Sequence, residues 1–562
     1  MTRFFDEHIK RSVQYLGGAW SFLKDEKKIG EEEKWFCGLP RGEKVTVPSV
    51  WNTEKDMLTY EGVAWYEKRF HSEGGCIRLF FGAVMTQAKV WLDGEYLGDH
   101  YGGFTQFDFI VNDVSKGMHT LTVRVDNSFD AHSIPQKNVD WYHYGGITRD
   151  VTVENLHGIC ALYNRVEYSL SDDIKNADCT AVIELFNADK ASASTFLKVM
   201  IGETEVYAGS VSLEAGERRE LRLPAVINDV KLWSPKEPNL YDIVIETDTD
   251  DLYDRTGFRK IEVKDGKVML NGEAMYVQGV NRHEEHPDWG MAFPQKLMKK
   301  DIDIALDMGC NTIRGSHYPN APEFLDLLDE RGMAFWSEIP IWGVGFSAET
   351  LGDELVLARG LEMHREMVRY YYNHPSIIIW GQHNEIPSGS QQAYEMSKLY
   401  YSFLKENGGN RIVTYASARP FEDICFEFCD LICINAYRGW YSGKIADWDD
   451  FAKKFRAKRK ELGMEHKPVI MSEFGAAALY GYHTFDNIPW TEEYQAELIS
   501  YCLKLFREDD MFVGALIWQF CNIRTCKEMG LNRARGFNNK GLLDEYRRPK
   551  AAYFAAKKIF SE

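Results

Sequence analysis

Near the middle of the chain lies the stretch NHPSIIIWGQHNE, residues 373–385, in which an apolar run ends in an amide and a carboxylate. Short apolar runs between polar flanks are typical of buried β-strands. The stretch PVIMSEFG, residues 468–475, repeats this arrangement and presents a second carboxylate, Glu473. The two stretches therefore predict that Glu385 and Glu473 stand at the carboxyl ends of two buried strands.

Glu385 and Glu473 together form a pair suited to the hydrolysis of a glycosidic bond. One carboxyl group must protonate the leaving oxygen, while the other attacks or stabilises the sugar cation. A single Glu after a strand is ordinarily a solvated loop residue or an ion-pair partner, and that interpretation holds for each Glu taken alone. Their pairing, with Asn384 directly before Glu385, favours the catalytic interpretation.

The chain after residue 263 alternates apolar strands with amphipathic stretches, such as 297–308, 324–331 and 550–560. A count of eight strands over about 250 to 300 residues fits a (β/α)₈ TIM barrel, in which chemistry takes place at the carboxyl ends of the strands. Glu385 follows the fourth strand and Glu473 the seventh, so a closed barrel would point both into one mouth. The predicted strands are 274–280, 312–314, 334–336, 377–380, 411–415, 431–434, 469–471 and 515–518.

Two all-β domains are predicted before the barrel. Residues 1–157 consist of short strands broken by turns, including the hairpin signal Asp93-Gly94, which indicates a jelly-roll-like β-sandwich. Alternating residues such as 180–186 continue over 158–263, and this size fits an immunoglobulin-like sandwich of about 100 residues. The predicted fold is therefore multidomain, with two sandwiches followed by a TIM barrel over 264–562.

Composition excludes several classes of partner. The net charge of −19 over 562 residues argues against nucleic acid, whose binding depends on Lys and Arg that neutralise phosphates. The sequence has no signal-peptide pattern at its start and no apolar run long enough to cross a membrane, so we expect a cytoplasmic protein without a membrane partner. The eleven Cys are scattered without His partners, which predicts free thiols.

These motifs resemble those of family 2 glycoside hydrolases, the group that contains β-galactosidases, β-mannosidases and β-glucuronidases. The resemblance is carried by NTIRGSHYP at 311–319, by 373–385 and by MSEFG at 471–475, and it extends to the order of the three domains. It implies that Glu385 is the general acid/base and Glu473 the nucleophile of a retaining double displacement. Carboxyl groups about 5 to 5.5 Å apart cannot both be charged cheaply, so Glu473 should hold Glu385 protonated. Asn384 would donate a hydrogen bond to the sugar 2-hydroxyl.

The stretch RGFNNKG, residues 535–541, resembles the Asn-x-Lys motif of β-glucuronidases, with Asn538 and Lys540 in the two positions. A sugar carboxylate needs a cation with hydrogen-bond donors around it, and this pair would supply both. As a bare tripeptide the motif would be an ordinary solvated loop. An Arg is expected to assist, and we select Arg533 with Arg535 as the alternative.

Two further stretches resemble β-glucuronidase segments. In VDWYHYGGITR, residues 139–149, Asp140 would reach from the first domain to the sugar hydroxyls, although an isolated Asp there would be a turn residue. In NAYRGWY, residues 435–441, Tyr437 would donate to the nucleophile and Tyr441 would line the sugar site, unless both only pack the barrel mouth. His283 and His317, which follow the first and second strands, would contact the sugar, although a lone His is more often structural. Trp518, at the end of the eighth strand, would form the floor of the sugar subsite.

The stretch HEEH, residues 283–286, has the composition of a metal-ligand cluster, but the glucuronidase-like pattern implies neither a metal nor another cofactor. The segment between Trp342 and Arg359 lacks the long insertion of some β-glucuronidases, which predicts an open mouth or one completed by a neighbouring subunit. The resemblance also implies a homo-oligomer of two or four subunits.

The sequence therefore predicts a retaining exo-β-glucuronidase that acts on small-molecule glucuronides or short oligosaccharides. A β-galacturonidase would keep the carboxylate clamp and accept an axial 4-hydroxyl, which Asp140 disfavours; a β-galactosidase would not need Lys540. A catalytically silent glucuronide-binding protein is the alternative from a different class. The intact residues Glu385, Glu473, Asn384 and Tyr437 argue against it.

Overall fold

The computed structural model of the protein describes residues 3–562. Two antiparallel β-sandwiches come first in the chain and a closed parallel barrel of eight strands follows them. This architecture confirms the predicted fold class.

The first sandwich holds twelve strands, β1 to β12, in two principal sheets. The strands are β1 Val13–Tyr15, β2 Gly18–Asp25, β3 Glu43–Val47, β4 Val63–Ser72, β5 Gly75–Phe81, β6 Val84–Met85, β7 Gln87–Leu92, β8 Glu95–Tyr101, β9 Phe107–Val114, β10 Gly117–Asp126, β11 Gly146–Ile147 and β12 Val151–Leu156. One sheet has the order β1-β12-β5-β9 and the other β3-β2-β4-β10-β7-β8, while β6 and β11 pair separately. Trp20, Tyr66, Leu79 and Val123 are buried in the core between the two sheets.

The second sandwich is formed by seven strands. These strands are β13 Ile159–Leu170, β14 Ala177–Asn187, β15 Ala193–Ile201, β16 Thr204–Leu213, β17 Arg218–Ile227, β18 Tyr241–Glu246 and β19 Asp251–Thr256. Their sheets have the orders β13-β14-β17 and β16-β15-β18-β19. A small sheet of β20 Ile261–Lys264, β21 Lys267–Leu270 and β22 Glu273–Ala274 connects this sandwich to the barrel.

The barrel strands are β23 Val277–Arg282, β24 Thr312–Gly315, β25 Ala334–Glu338, β26 Ile377–Asn384, β27 Ile412–Ser417, β28 Ile432–Asn435, β29 Val469–Phe474 and β30 Phe512–Ile517. Each of the eight predicted strands corresponds to one of them. The first begins later than predicted, because Ala274 pairs with Met269 in the connecting sheet instead. The fourth continues to Asn384, beyond the apolar run, since its polar end is also buried.

Eight helices accompany the barrel, and the amphipathic stretches predicted at 297–308, 324–331 and 550–560 fall within α1, α2 and the region of α8. The helices are α1 Gln295–Met308, α2 Pro322–Arg331, α3 Ala348–Leu351, α4 Glu354–Tyr371, α5 Gln391–Asn407, α6 Asp447–Glu461, α7 Glu492–Glu508 and α8 Ala551–Phe560. None of the helices within residues 3–562 combines the length and the apolar character that a membrane crossing requires. A further short hairpin joins β31 Ile523–Arg524 to β32 Phe537–Asn538.

Alternate residues of the barrel strands belong to two buried clusters. Trp336 and Ile379 belong to one apolar cluster together with residues of the connecting sheet. Their neighbours in the chain, Phe335 and Trp380, belong to the cluster that includes the surrounding helices. Both faces of each strand are therefore covered, which explains why the strands are continuous apolar runs in the sequence.

The segment between β10 and β11, residues 127–145, leaves the first sandwich and lies across the barrel mouth. His132 contacts Asp353 of the barrel at 3.0 Å, and the hydroxyl of Tyr144 donates to Glu285 at 2.7 Å. Asp140 of the same segment is held by barrel residues described below. The first sandwich thereby supplies part of the wall at the barrel mouth.

Candidate active site

A cavity of about 340 Å³ opens at the carboxyl ends of the barrel strands. Glu385, which directly follows β26, and Glu473, which belongs to β29, both line it. The predicted convergence of the two carboxyl groups is therefore present in the structure. The other lining residues are Asp140, Trp342, Tyr437, Tyr441, Trp518, Met529, Asn532, Arg533 and Lys540.

Glu473 is held by two strong hydrogen-bond donors. Arg314 donates from Nη1 to Oε1 at 2.7 Å, and the hydroxyl of Tyr437 donates to Oε2 at 2.6 Å. Burial raises the pKa of Glu473, while the charge of Arg314 and the hydrogen bond from Tyr437 oppose that rise. Donors of this kind favour the ionised form, which is the form that a nucleophile needs.

Glu385 is in a different environment, with one side-chain donor. Asn435 donates from Nδ2 to Oε1 at 2.7 Å. The Glu385 backbone has a φ of 54°, a left-handed conformation that is uncommon for residues other than Gly. Burial, followed by the negative charge of Glu473, raises the pKa of Glu385 to about 8. Glu473 therefore ionises first, and Glu385 retains its proton at neutral pH as a general acid must.

Asn384 is fully buried beside this pair. Its Oδ1 accepts from Arg314 Nη2 at 2.7 Å and from Asn435 Nδ2 at 3.1 Å. Its Nδ2 has no hydrogen-bond partner among residues 3–562. Asn384 does not itself line the cavity, but a buried donor without a partner is costly, so a ligand hydroxyl group that reached this amide would satisfy it.

Arg314 links Glu473 to Glu338 and to Asn384, although sequence reasoning did not select it as a site residue. It contacts Glu338 at 2.8 Å as well as Glu473 and Asn384, and Glu338 also contacts His317 Nδ1 at 2.7 Å. Glu338 is the last residue of β25, much as Glu385 and Glu473 lie at the carboxyl ends of β26 and β29, so the same signal could have identified it. Asn435 and Arg314 both lie in stretches quoted for the family resemblance.

The residues of the predicted carboxylate clamp lie together at one side of the cavity, which Lys540 and Arg533 line and Asn538 does not. Lys540 is 2% exposed and donates from Nζ to the hydroxyl of Tyr441 at 2.7 Å, with no carboxylate of residues 3–562 within 4.0 Å. Asn538 donates to Asp140 Oδ2 at 2.9 Å, and Arg533 Nε donates to Asp140 Oδ1 at 3.2 Å. These five residues adjoin one another.

Arg535, the alternative to Arg533, does not face the cavity. It pairs with Glu545 at 2.9 Å and donates to Asn539 Oδ1 at 3.2 Å. Arg533 lines the cavity and Arg535 does not. The geometry therefore favours Arg533 as the residue near a bound sugar.

His283 and His317 lie against Trp518 and do not line the cavity. The ring of His317 stacks on Trp518 with centroids 5.2 Å apart, and His283 meets Trp518 edge-on at 5.4 Å. Burial lowers the pKa of both imidazoles well below the ordinary range, so both are neutral. His283 Nε2 is buried without a partner among residues 3–562. The structure thus places these residues as supports of the cavity floor.

The stretch 283–286 does not converge on a common point as metal ligands would. Glu284 accepts from Arg149 at 3.2 Å, and Glu285 accepts from Tyr144 at 2.7 Å. In the described part of the chain, one group has metal-ligand spacing, namely Asp326, Asp329 and His374. Its Asp326 is paired with Arg3, and its Asp329 with His374.

A TIM barrel whose mouth joins an ionised and a protonated Glu, with an amide and a Tyr around them, defines an enzyme that hydrolyses glycosides. Three family models match the chain: the sugar binding domain of glycosyl hydrolases family 2 over residues 13–156, Glycosyl hydrolases family 2 over 164–259, and its TIM barrel domain over 261–562. The chain therefore belongs to glycosyl hydrolase family 2.

Relatives of this chain carry names of two uronide-cleaving activities. A β-glucuronidase of Streptococcus agalactiae is 29% identical, with 96% of this chain and 94% of that protein covered. A β-galacturonidase of Eisenbergiella tayi, solved with galacturonate bound, has a TM-score of 0.91 at 33% identity and covers 100% of this chain and 99% of its own. A Ruminococcus gnavus β-glucuronidase has a TM-score of 0.87 at 26% identity, with 99% of both chains covered. The predicted family and its likeness to β-glucuronidases are confirmed.

Proposed function

We propose that this protein is a retaining exo-β-glucuronidase that removes a terminal β-D-glucuronic acid from conjugates or short glycans. The observation that carries the proposal is Lys540, a buried cation beside the catalytic pair without a carboxylate partner. A buried charge without a counter-charge is costly. A carboxylate supplied by the sugar would remove that cost in a chain whose net charge is otherwise −19.

The proposed mechanism assigns each step to a residue. With the sugar carboxylate at Lys540, Glu473 attacks the anomeric carbon while Glu385 gives its proton to the departing oxygen. Glu385, now a carboxylate, takes a proton from water, and the water attacks the anomeric carbon and releases Glu473. Arg314 and Tyr437 hold the nucleophile's oxygens in position throughout.

A β-galacturonide is the second candidate substrate. Sequence reasoning disfavoured it because Asp140 was expected to accept hydrogen bonds from sugar hydroxyls. In the structure this carboxylate already accepts from Arg533 and Asn538, so the argument against an axial 4-hydroxyl is weaker. The likeness to the Eisenbergiella tayi β-galacturonidase supports the same candidate.

The test is release of 4-nitrophenol from its β-glucuronide, β-galacturonide and β-galactoside by the wild type and Lys540→Ala. We expect a uronide to be preferred, and kcat/KM for it to fall roughly 30- to 1,000-fold in the variant, because a buried charged pair loses a partner. Activity on the galactoside should change little by comparison. Lys527→Ala, which removes an exposed cation nearby, is the matched control.

Preference for the galactoside, unchanged by Lys540→Ala, would overturn the proposal. The ratio of glucuronide to galacturonide turnover decides between the two uronides. Glu473→Gln separates catalysis from binding, because it should abolish turnover of every substrate while calorimetry still detects binding of glucuronic acid. Turnover that survives Glu473→Gln would contradict its assignment as the nucleophile.

A further inference from the structure

A second cavity, of about 440 Å³, opens beside the catalytic cavity and shares Glu385, Tyr437 and Tyr441 with it. The general acid must touch the oxygen that links the sugar to its leaving group. A cavity that meets the catalytic cavity at Glu385 is therefore the space into which the leaving group extends. We name it the leaving-group cavity.

The walls of the leaving-group cavity carry two arginines from the loops that follow β27 and β28. Arg438 donates to Ser442 Oγ at 3.0 Å and lies 5.6 Å from the ring centroid of Phe451. Arg419 is exposed and lines the same cavity. Within residues 3–562, neither guanidinium has a carboxylate within 4.0 Å. The remaining lining residues are Ala418, Pro420, Phe421, Glu422, Asn435 and Ala436.

These arginines contrast with those around the catalytic cavity. Arg314 and Arg533 each form ion pairs with carboxylates, so their charges are compensated. Among residues 3–562, the carboxyl groups on the wall of the leaving-group cavity are those of Glu422 and of the protonated Glu385. The cavity is therefore locally positive in a strongly acidic chain, and two planar donor groups remain available to a ligand.

We propose that the leaving-group cavity selects glycosides whose leaving group is a ring that bears an anionic substituent, a carboxylate or a sulfate. Guanidinium groups bind such anions through paired N–H donors, while Phe421, which is exposed, offers aromatic surface to the ring. This inference rests on the proposed function, because it requires Glu385 to protonate the oxygen that this ring leaves with. Arg419 and Arg438 are the residues that determine the specificity.

The experiment compares two substrates that share a ring and a linkage, the β-glycosides of 4-hydroxybenzoate and of its methyl ester. The sugar is whichever of glucuronide, galacturonide or galactoside the wild type hydrolyses best. We measure kcat/KM for the wild type, for Arg419→Gln/Arg438→Gln, and for the control Lys453→Gln/Lys460→Gln. The control removes two exposed charges of α6 that lie outside the cavity.

We expect the ratio of carboxylate to ester kcat/KM to fall about tenfold in the arginine variant, as for two partly exposed charge contacts, and to stay constant in the control. Retained hydrolysis of the ester shows that the variant is folded. In the wild type the ratio should also shrink as salt is raised, because exposed charges are screened. A disaccharide with a β-linked uronic acid as the leaving sugar, compared with its methyl ester, tests sugar acids in the same way.

An unchanged ratio in the arginine variant, with turnover intact, would overturn this inference alone. Preference for the galactoside would overturn the uronide proposal, while the same pair of leaving groups would still report on the arginines. Absence of turnover on all three sugars would overturn both. An effect with 4-hydroxybenzoate and none with the disaccharide would assign the cavity to aromatic acids, and the reverse would assign it to acidic glycans.

Discussion

At the scale of single residues, Glu385 and Glu473 receive different roles from their neighbours. Glu473 has Arg314 and Tyr437 as donors, whereas Glu385 has only Asn435. In the proposed mechanism, this difference in donors makes one of two chemically identical carboxyl groups the nucleophile and the other the acid. The shape of the pH profile should therefore depend on these contacts.

We predict a descending limb of kcat/KM near pH 8, because Glu385 has a pKa raised to about 8 and must be protonated to act. Activity should be present below that pH and be lost as pH rises through it. The hydrogen bond from Asn435 lowers the pKa of Glu385, so Asn435→Ala should move the limb to higher pH. The measurement is kcat/KM from pH 5 to 10; a limb that moves to lower pH in Asn435→Ala would contradict the assignment.

At the scale of elements, the loop that carries Asn538 and Lys540 is held from behind by Lys550. This residue is fully buried and donates from Nζ to Asn539 O at 2.9 Å, Ala478 O at 2.8 Å and Asn522 Oδ1 at 3.0 Å. Burial lowers the pKa of Lys550 to about 7. The hydrogen bonds join the loop to the segments after β29 and β30.

Lys550→Met should destabilise the protein by at least about 2 kcal/mol, since buried acceptors lose their donor. It should also reduce uronide turnover more than galactoside turnover, because Lys540 is carried by the same loop. Thermal unfolding measures the loss of stability, and hydrolysis of the nitrophenyl glycosides measures the change in sugar preference. Lys558→Met, on the adjoining α8 and outside this network, serves as control. Unchanged sugar preference in Lys550→Met would show that the loop keeps its position without Lys550.

The elements of the barrel were predictable because their strands are apolar runs, and the carboxylates because they interrupt such runs at one end. The polar continuation of β26 to Asn384 was not predictable, since the burial of polar residues there depends on distant partners such as Arg314 and Ser397. The pairing of Arg533 with Asp140 joins residues 393 positions apart. No local pattern encodes a contact between two domains at such a distance.

At the scale of the whole molecule, buried charges join the domains. Arg11 donates to Asp250 of the second sandwich at 2.7 Å and to Glu154 of the first at 2.7 Å. Burial would raise the pKa of Glu154, but the charges of Arg78 and Arg11 outweigh it and lower that pKa to about 2. The ion pairs thus link the orientation of the sandwiches to the ionisation of Glu154.

We predict that Arg11→Met costs about 3 to 5 kcal/mol, because two carboxylates lose a buried partner. The stabilisation from the depressed pKa of Glu154 is present above its ordinary pKa and lost as pH falls toward about 2. The variant should therefore lose less stability than the wild type on acidification over that range. Thermal unfolding at several pH values measures this. Arg41→Met, at an exposed position, is the control, and a variant as acid-sensitive as wild type would contradict the prediction.

The contact between Asp140 and Arg533 also limits how genes for such enzymes can recombine. Asp140 belongs to the first sandwich, yet its carboxylate neutralises Arg533 of the barrel. A gene fragment encoding the barrel alone would leave Arg533 uncompensated next to Lys540, so the site would hold two competing cations where the whole chain leaves one. Recombination that exchanges barrels between genes should therefore preserve activity when the first sandwich and the barrel are exchanged as one unit.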